Sequence, residues 1–194
     1  MTRKTKKNKK NKKNRIFSKK NYNSGDGMLT TVWGPSMWHY LHTMSFNYPI
    51  KPSLYHKKKY REFIFNLPHT LPCKYCRINL KKNLKHHPLK ACHLKNRDAF
   101  SRWVYELHEF VNKMLKKKSG LTYCDVRERY EHFRARCSTK KNYNKLFNFK
   151  KTRKEKGCTE PLYGKKARCI IKIIPQEKKC KTMQIDKQCI KKKL

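Results

Sequence analysis

Apolar residues recur at spacings of three and four through the middle of the chain, a pattern that predicts helices. The first predicted helix is entered through Gly34 and Pro35 and ends before Pro49. The second follows Pro52 and is stopped by Pro68. The inward-facing residues are Trp38, Leu41, His42 and Ser45 in the first helix and Tyr60, Phe63, Ile64 and Leu67 in the second.

Three more predicted helices complete the pattern. The third begins at Pro72, because proline is favoured at the first helical position, and it runs through Cys73, Cys76 and Leu80. The fifth is short and capped near Asp125. The inward-facing residues are Phe100, Trp103, Val104, Leu107, Val111 and Leu115 in the fourth helix and Val126, Tyr130 and Phe133 in the fifth. The expected fold is all-α, an antiparallel four-helix bundle with a short fifth helix.

Composition divides the chain into three segments. Residues 1–30 are rich in Lys and Asn and hold too few apolar residues to order themselves, so we expect a disordered basic arm. Residues 31–138 form the predicted bundle. Residues 139–194 are again Lys-rich and form an extension that contains Cys158, Cys169, Cys180 and Cys189. The alternation in residues 169–175 predicts a strand there.

The chain carries 52 Lys and Arg against 12 Asp and Glu, a net charge of +40. This excess runs through all three segments, whereas a nucleic-acid module concentrates it on one face or arm. We therefore expect incidental polyanion binding through the arm. No apolar run approaches the roughly 18 residues that cross a bilayer, so no membrane span is predicted. The N-terminus also lacks the apolar core of a secretory signal.

The motif Cys73-Lys74-Tyr75-Cys76 is the sharpest chemical feature. Two cysteines three residues apart at a helix start can form a reversible disulfide. The positive end of the helix, together with Lys74 and Arg77, lowers thiol pKa and favours the thiolate that attacks in disulfide exchange. Nine cysteines without a secretion signal also indicate redox chemistry or metal binding.

Zinc binding is the alternative interpretation of this motif, because C-x-x-C is half of many zinc sites. The residues that could complete a tetrahedral site are His86, His87, Cys92 and His93. Against this interpretation, the chain has no second C-x-x-C, and Pro88 follows His87 directly. A zinc-binding, nucleic-acid-associated protein remains the alternative function.

Two polar residues on the fourth helix suggest a buried ligand. His108 and Asn112 are four residues apart and are predicted to face Trp38 and His42 of the first helix. A flat, heteroatom-rich ring would satisfy inward-facing polar groups, although a lone His there is more often a core residue. No G-x-G-x-x-G motif occurs, so a nucleotide would be held without a Rossmann domain.

Three blocks together resemble the Erv/ALR family of FAD-linked sulfhydryl oxidases. They are WGPSMWHYLHTMSFNYP (33–49), LPCKYC (71–76) and WVYELHEFVNKML (103–115). The resemblance covers roughly residues 31–137. It implies a four-helix bundle with a short fifth helix, usually dimeric, with FAD bound noncovalently at the mouth of the bundle. The composition is more similar to a large-DNA-virus member than to a cellular one.

The resemblance assigns roles to individual residues. Cys73 resembles the interchange cysteine, which receives electrons from a substrate or shuttle thiol, and Cys76 resembles the flavin-proximal cysteine. Residues expected to contact FAD are Gly34, Pro35, Ser36, Trp38, His42, Tyr105, His108, Asn112, Lys117, Arg129 and Tyr130. A two-residue insertion between Asn112 and Cys124 weakens the matches at Lys117, Arg129 and Tyr130.

The remaining cysteines depart from the family pattern. Many members join the fourth helix to the next loop by a disulfide, but Tyr105 stands where its first cysteine would be, so that disulfide is expected to be absent. Cys124 could pair with Cys137 or remain a buried thiol, and Cys92 is interpreted as a free thiol. The four cysteines of the extension could form two disulfides, as an electron shuttle or as a structural staple.

The resulting prediction is a thiol oxidase that forms disulfides in dithiol protein substrates and reduces oxygen to hydrogen peroxide. A homodimer is expected. The expected compartment is host cytoplasm or virion for a viral protein, or the mitochondrial intermembrane space for a cellular one. A scaffold protein with a degenerate oxidase fold is a further alternative.

Overall fold

The computed structural model describes residues 18–25, 27–138, 157–167, 169–170, 172–175, 177–178 and 188. Its helices are α1 (Lys19–Tyr22), α2 (Thr30–Phe46), α3 (Leu54–Thr70), α4 (Lys74–His86), α5 (Arg97–Met114) and α6 (Tyr123–Glu131), with a short 3-10 helix at Ala91–Leu94. Two strands follow, β1 (Ala135–Ser138) and β2 (Gly157–Pro161). The predicted all-α bundle is confirmed, with this ribbon as an addition.

The core lies where α5 packs against α2, α4 and the 3-10 helix. Phe100, Trp103, Val104 and Leu107 of α5 are at most 3% exposed. Burial of such side chains stabilises the fold by roughly 1.5–3 kcal/mol each. The buried stripe is shorter than predicted, because Leu115 lies after the end of α5 and is 52% exposed.

Two helices include prolines that were predicted to mark their ends, Pro35 at the start of the first helix and Pro68 at the end of the second. α2 begins at Thr30, before Gly34 and Pro35, and α3 continues through Pro68 to Thr70. These predicted boundaries are wrong. Pro35 lies near the start of a long helix and is exposed, so water can hydrate the carbonyl that lacks a partner. Pro68 lies in the last turn of α3, where little helix remains to be disrupted.

Among the side-chain caps, those of α4 and α6 shift the helix starts that were predicted. Cys73 is the N-cap of α4, so Pro72 precedes the helix and is not its first residue. Thr122 caps α6, while Asp125 returns the bond by accepting from the Thr122 N–H at 2.8 Å. Asn96 caps α5 by accepting from the Ala99 N–H at 2.9 Å. These bonds satisfy backbone N–H groups that a helix start leaves free.

A second apolar cluster fixes α6 against α2 and α5. Its buried members are Phe46, Tyr123 and Val126. Tyr105 packs at its edge and donates from its hydroxyl to the Leu121 carbonyl at 2.8 Å. Cys124 is an exposed free thiol, so neither the pairing with Cys137 nor the burial considered for it is found. A hydrogen bond therefore links α5 to the loop before α6.

The ribbon lies on both sides of the predicted boundary at residue 138. β1 and β2 are antiparallel, with Ala135 opposite Pro161. Arg134 ties the ribbon to the bundle, because its carbonyl accepts from the Leu162 N–H at 2.8 Å and its guanidinium donates to the Phe46 carbonyl at 2.9 Å. The strand predicted over 169–175 is wrong for the described residues there, which are irregular. A strand forms where a partner strand is available for pairing. β1 pairs with residues 157–161 and not with the described residues of 169–175.

Several predictions fall outside the described residues: those for residues 1–17 of the arm, for Cys180 and Cys189, and for the side chain of Cys137. Residues 18–25 of the arm include α1, capped by Ser18. Cys158 is disulfide-bonded and Cys169 is a free thiol, so the extension does not form two disulfides from its four cysteines in this structure. Among the described helices, none is long and apolar enough to cross a membrane.

Replacing Tyr105 with Phe tests the link between α5 and the loop before α6. The change removes the hydroxyl that donates to the Leu121 carbonyl but keeps the ring against Tyr123. We expect the free energy of unfolding to fall by about 1 kcal/mol, the net value of one such bond. Urea denaturation measures this, with Tyr40→Phe, at an exposed ring, as the control. Equal stabilities of the two variants would contradict the role of the bond.

Candidate active site

The two cysteines of the C-x-x-C motif lie together at the start of α4. The Cys73 sulfur caps the helix by accepting from the Cys76 backbone N–H at 3.2 Å. Both residues are half-buried free thiols, so the structure describes the reduced dithiol. Arg77 lies one turn on, where its guanidinium donates to the Leu71 carbonyl at 2.6 Å. The predicted basic group is thus held beside the segment that carries Cys73.

The two sulfurs differ in acidity. Burial opposes ionisation of Cys73, but hydrogen bonds from the Cys76 thiol and the Cys76 backbone N–H outweigh it and lower the pKa of Cys73. Burial raises the pKa of the Cys76 thiol, and its hydrogen bond to Cys73 raises it further. The first proton therefore leaves Cys73. The lowered thiol pKa predicted for this motif holds for Cys73 and not for Cys76 in the dithiol.

The segment that leads into α2, together with the first residue of that helix, lies across the dithiol. Residues 27–30, here called the strap, run antiparallel to the chain at Cys73, where Gly27 and Cys73 form an isolated β-bridge. The Met28 N–H donates to the Pro72 carbonyl at 2.8 Å. The Thr30 hydroxyl lies 3.9 Å from the Cys76 sulfur. The motif is therefore bounded by the strap on one side and by its own helix on the other.

A second group of functional side chains forms where α2 faces α5. The ring of His108 stacks on Trp38, with centroids 3.9 Å apart and planes 7° apart. The His42 Nε2 and His108 Nδ1 atoms are 3.0 Å apart and share a hydrogen bond. As predicted, His108 lies opposite Trp38 and His42.

Both imidazoles are neutral over the physiological range. Burial, and then the nearby His108 and His39, lower the pKa of His42 to about 3. Burial lowers the pKa of His108 to about 4, where Glu109 opposes the shift and Lys117 adds to it. Neutral rings can each donate one hydrogen bond and accept one.

One atom of this pair has no hydrogen-bond partner in the described structure. The buried His42 Nδ1 is unpaired, and an unpaired buried polar atom costs about 1–3 kcal/mol. A ligand with ring nitrogens and carbonyl groups would pair with it, and Trp38 and His108 offer flat surfaces for stacking. The residues present therefore fit an aromatic, heteroatom-rich group such as the ring systems of FAD.

Tyr130 lies on α6 and extends the set of rings formed by Trp38, His42 and His108. These four residues are here called the aromatic group. The Tyr130 ring stacks on Phe46 at 5.5 Å and lies 5.2 Å from His42. Its hydroxyl is 3.3 Å from the Nδ1 atom of His39. Burial raises the pKa of Tyr130 to about 12, so the hydroxyl keeps its proton and can donate.

The other residues that are expected to contact a cofactor do not join the aromatic group, and several of them have other contacts in the structure. The Asn112 side-chain amide donates to the Glu109 carboxylate at 3.0 Å. The Asn112 backbone carbonyl accepts from the Lys117 backbone N–H at 2.8 Å. Tyr105 is bonded to Leu121, and Arg129 lies on α6 beside Tyr130. Three residues lie along the first part of α2: Gly34, Pro35 and Ser36. Cofactor contact by all of these residues stays a prediction.

The alternative metal site does not assemble. Among the residues that the structure describes, no group of three or more His, Cys, Asp or Glu is arranged to hold a metal ion. The ring of His87 stacks on Trp103 instead, and His86 packs near Phe110. Cys92 is an exposed free thiol, as predicted. The zinc interpretation is therefore not favoured, because these side chains do not come together as a ligand set among the described residues.

Helix α2 connects the dithiol to the aromatic group. Thr30 contacts Cys76 at the start of the helix, and His42 contacts His108 twelve residues later. At 1.5 Å per residue the two positions are about 18 Å apart along the axis. A dinucleotide is long enough to reach from one to the other along this helix.

Several residues of the site were not identified from the sequence. His39 and Phe46 lie on the same side of α2 as His42, at spacings of three and four, and this periodicity could have indicated them. The sequence carries no comparable sign of the strap, because apart from the Thr30 hydroxyl it contacts the motif through backbone atoms.

The motif cysteines and the aromatic group lie in a region of the chain that is similar to known proteins. The Erv1/Alr family model matches residues 35–142. "Probable FAD-linked sulfhydryl oxidase R368" of Acanthamoeba polyphaga mimivirus is 34% identical over 99 residues, 51% of this chain and 68% of that protein. An African swine fever virus protein named FAD-linked sulfhydryl oxidase is 34% identical over 86 residues, 44% of this chain and 70% of that protein.

A cellular relative is similar over a smaller share of its length. The mitochondrial FAD-linked sulfhydryl oxidase ERV1 of Saccharomyces cerevisiae is 31% identical over 84 residues, which are 43% of this chain and 43% of that protein. The matched region thus spans less than half of this relative. The family match contains both motif cysteines and the histidine pair, whereas the strap lies outside it.

The pH dependence of stability tests the buried histidine pair. The folded-state pKa values, about 3 for His42 and about 4 for His108, lie below the ordinary value of 6.5. Between these values the unfolded chain binds more protons, so the free energy of unfolding falls as the pH drops from 6.5 toward 4. Each imidazole contributes a slope of at most about 1.4 kcal/mol per pH unit.

We expect His108→Asn to flatten this decline in urea denaturation of the FAD-free protein. His69→Asn, at an exposed histidine near the end of α3, should leave it unchanged. The assignment fails if His108→Asn keeps the full decline between pH 6.5 and 4.

Proposed function

Because this chain belongs to the Erv1/Alr family, we propose that it is an FAD-linked sulfhydryl oxidase that forms disulfide bonds in dithiol protein substrates. The observation that carries this proposal is the pairing of a reactive dithiol, Cys73 and Cys76, with an aromatic and imidazole group on the same helix α2. The dithiol supplies the exchange chemistry, and the aromatic group supplies a surface for the cofactor.

The exchange begins from the oxidised motif, in which Cys73 and Cys76 are joined. A substrate thiolate attacks the Cys73 sulfur, so a substrate–Cys73 bond forms, the Cys73–Cys76 bond breaks, and Cys76 leaves as a thiolate. A second substrate thiolate then attacks the first substrate sulfur. The product disulfide departs, and Cys73 is released as a thiolate. The two electrons that the substrate dithiol loses on forming its disulfide now reside on the cysteine pair.

The local structure suits Cys73 for the outer role in this exchange. The Cys76 backbone N–H donates to the Cys73 sulfur at 3.2 Å, and this bond stabilises the Cys73 thiolate that leaves in the resolving step. Tyr75, between the cysteines, is 73% exposed, so the motif is open to a protein substrate. The Cys76 sulfur lies beside the start of α2, the helix that carries Trp38 and His42 further along.

Four side chains would hold FAD at the aromatic group: Trp38, His42, His108 and Tyr130. Bound FAD would supply a two-electron acceptor for the dithiol and a route for these electrons to oxygen, with hydrogen peroxide as the product. The neutral imidazoles of His42 and His108 can hydrogen-bond to heteroatoms of the cofactor's rings. The stacked rings of Trp38 and His108 exclude water from the faces that they share. Lys117 and Arg129 lie near His108 and Tyr130, where their charges suit the phosphates of a dinucleotide.

Cysteine substitutions test the enzymatic proposal. We expect Cys73→Ser and Cys76→Ser to reduce dithiothreitol-driven oxygen uptake to the background rate, because each removes one sulfur of the exchanging pair. Cys76→Ser should still purify with yellow bound flavin. Cys92→Ser and Cys124→Ser, at exposed free thiols, serve as controls with unchanged uptake. Full turnover by Cys76→Ser, or a colourless protein with stoichiometric zinc, would refute the proposal.

A homodimer is part of the proposal. Large apolar side chains on α2 and α3 are exposed in the single chain, among them Tyr40, Leu54, Tyr55 and Phe65. A contact between two copies would cover such residues. Sedimentation equilibrium at micromolar concentration should give twice the chain mass of 23.6 kDa. A monomer under these conditions would contradict this part of the proposal.

The compartment follows from the kind of organism that encodes the chain. Two of the relatives are viral, which supports host cytoplasm or the virion. The yeast relative is named as mitochondrial, which supports the intermembrane space for a cellular protein. Cell fractionation distinguishes these locations. The charge of +40 supports incidental binding of polyanions through the arm, which should weaken steeply with salt.

A further inference from the structure

The strap is fixed to the redox motif by backbone contacts. Besides the β-bridge between Gly27 and Cys73, the Met28 N–H donates to the Pro72 carbonyl at 2.8 Å. The Met28 carbonyl in turn accepts from the Trp33 indole N–H at 3.1 Å. The strap is therefore attached to the motif on one side and to α2 on the other.

Gly27 makes this attachment possible. Its φ of +132° is a conformation that residues with side chains rarely adopt. A Cβ at this position would lie 2.7 Å from both the Cys73 Cα and the Pro72 carbonyl oxygen, which are backbone atoms that cannot move aside without shifting α4. Any other residue would thus push the strap away from the motif.

The strap ends at Thr30, whose hydroxyl is the one side-chain group outside the motif that contacts the Cys76 sulfur in the described structure. In the dithiol the Cys76 sulfur also hydrogen-bonds to Cys73, and the Thr30 hydroxyl is shared with the Cys73 sulfur. When Cys73 is joined to a substrate, its sulfur can no longer carry the negative charge. The charge then lies on Cys76, and the Thr30 hydroxyl is placed to donate to it.

We propose that Thr30 is a positioning residue for the redox dithiol: its hydroxyl donates to the Cys76 sulfur when that sulfur leaves as a thiolate, and the strap holds it there. The step is the attack described above, in which the Cys73–Cys76 bond breaks and its electron pair stays on Cys76. This inference rests on the proposed function only for the direction of that attack. Both Gly27 and Thr30 precede the region that matches the family model.

Alkylation of Cys76 tests the proposal without flavin or oxygen. In a Cys73→Ser background, which keeps a side-chain cap on α4, the rate of iodoacetamide reaction at Cys76 is followed against pH by peptide mass spectrometry. We expect Thr30→Val to raise the midpoint of this profile by about half to one pH unit, the loss of one hydrogen bond of about 1 kcal/mol. Thr30→Ser should restore the original midpoint.

Two further variants separate positioning from a general structural effect. Thr31→Val makes the same change at the next residue, which is exposed, and should leave the midpoint in place. Gly27→Ala keeps the Thr30 hydroxyl but displaces the strap, so it should raise the midpoint in the same direction. The double variant Gly27→Ala with Thr30→Val should shift no further than the larger single change, because both remove one contact.

The outcomes separate this inference from the enzymatic proposal. An unchanged midpoint in Thr30→Val, or an equal shift in Thr31→Val, overturns the role of Thr30 even if the unaltered chain consumes oxygen. The expected shifts in a chain that binds no flavin and consumes no oxygen would support Thr30 and refute the oxidase. If Gly27→Ala does not fold, the alkylation midpoints of Thr30→Val and Thr30→Ser still decide whether the Thr30 hydroxyl stabilises the Cys76 thiolate.

Discussion

The packing of α2 against α5 is the contact on which the rest of the structure depends. α2 brings Thr30 to the dithiol and Trp38 and His42 to the aromatic group, while α5 supplies His108 and the largest share of the core. Trp103 and Phe100 are fully buried next to this contact. The same apolar burial that stabilises the bundle thus fixes the distance between the two halves of the site.

The site is less stable than a core made only of apolar residues would be. The buried His42 and the half-buried His108 are held neutral, and the Nδ1 atom of His42 has no partner among the described residues. Such arrangements weaken a fold unless a ligand completes them. A cofactor bound at a hundred times its dissociation constant adds about 2.7 kcal/mol to stability. Binding and folding are therefore expected to support each other in this small bundle.

Local periodicity predicted the parts of the structure that depend on local chemistry. The stripe from Phe100 to Leu107 gave the position of α5, and the spacing of His108 relative to Trp38 and His42 gave the facing pair. The boundaries at Pro35 and Pro68 were wrong because Pro35 is exposed, so water hydrates the unpaired carbonyl, and Pro68 lies in the last turn, where little helix remains to be disrupted. The strap could not be predicted, since Gly27 and Cys73 meet through backbone atoms 46 positions apart in sequence.

The central claim is that the Cys73–Cys76 pair passes electrons to FAD held beside α2. Anaerobic mixing of the purified yellow protein with dithiothreitol tests it most directly, with the visible absorbance of the bound flavin followed over time. We predict rapid bleaching in the unaltered chain and none beyond the rate of free flavin in Cys76→Ser. Equal bleaching in both proteins would contradict the claim, because the flavin would then be reduced without the dithiol.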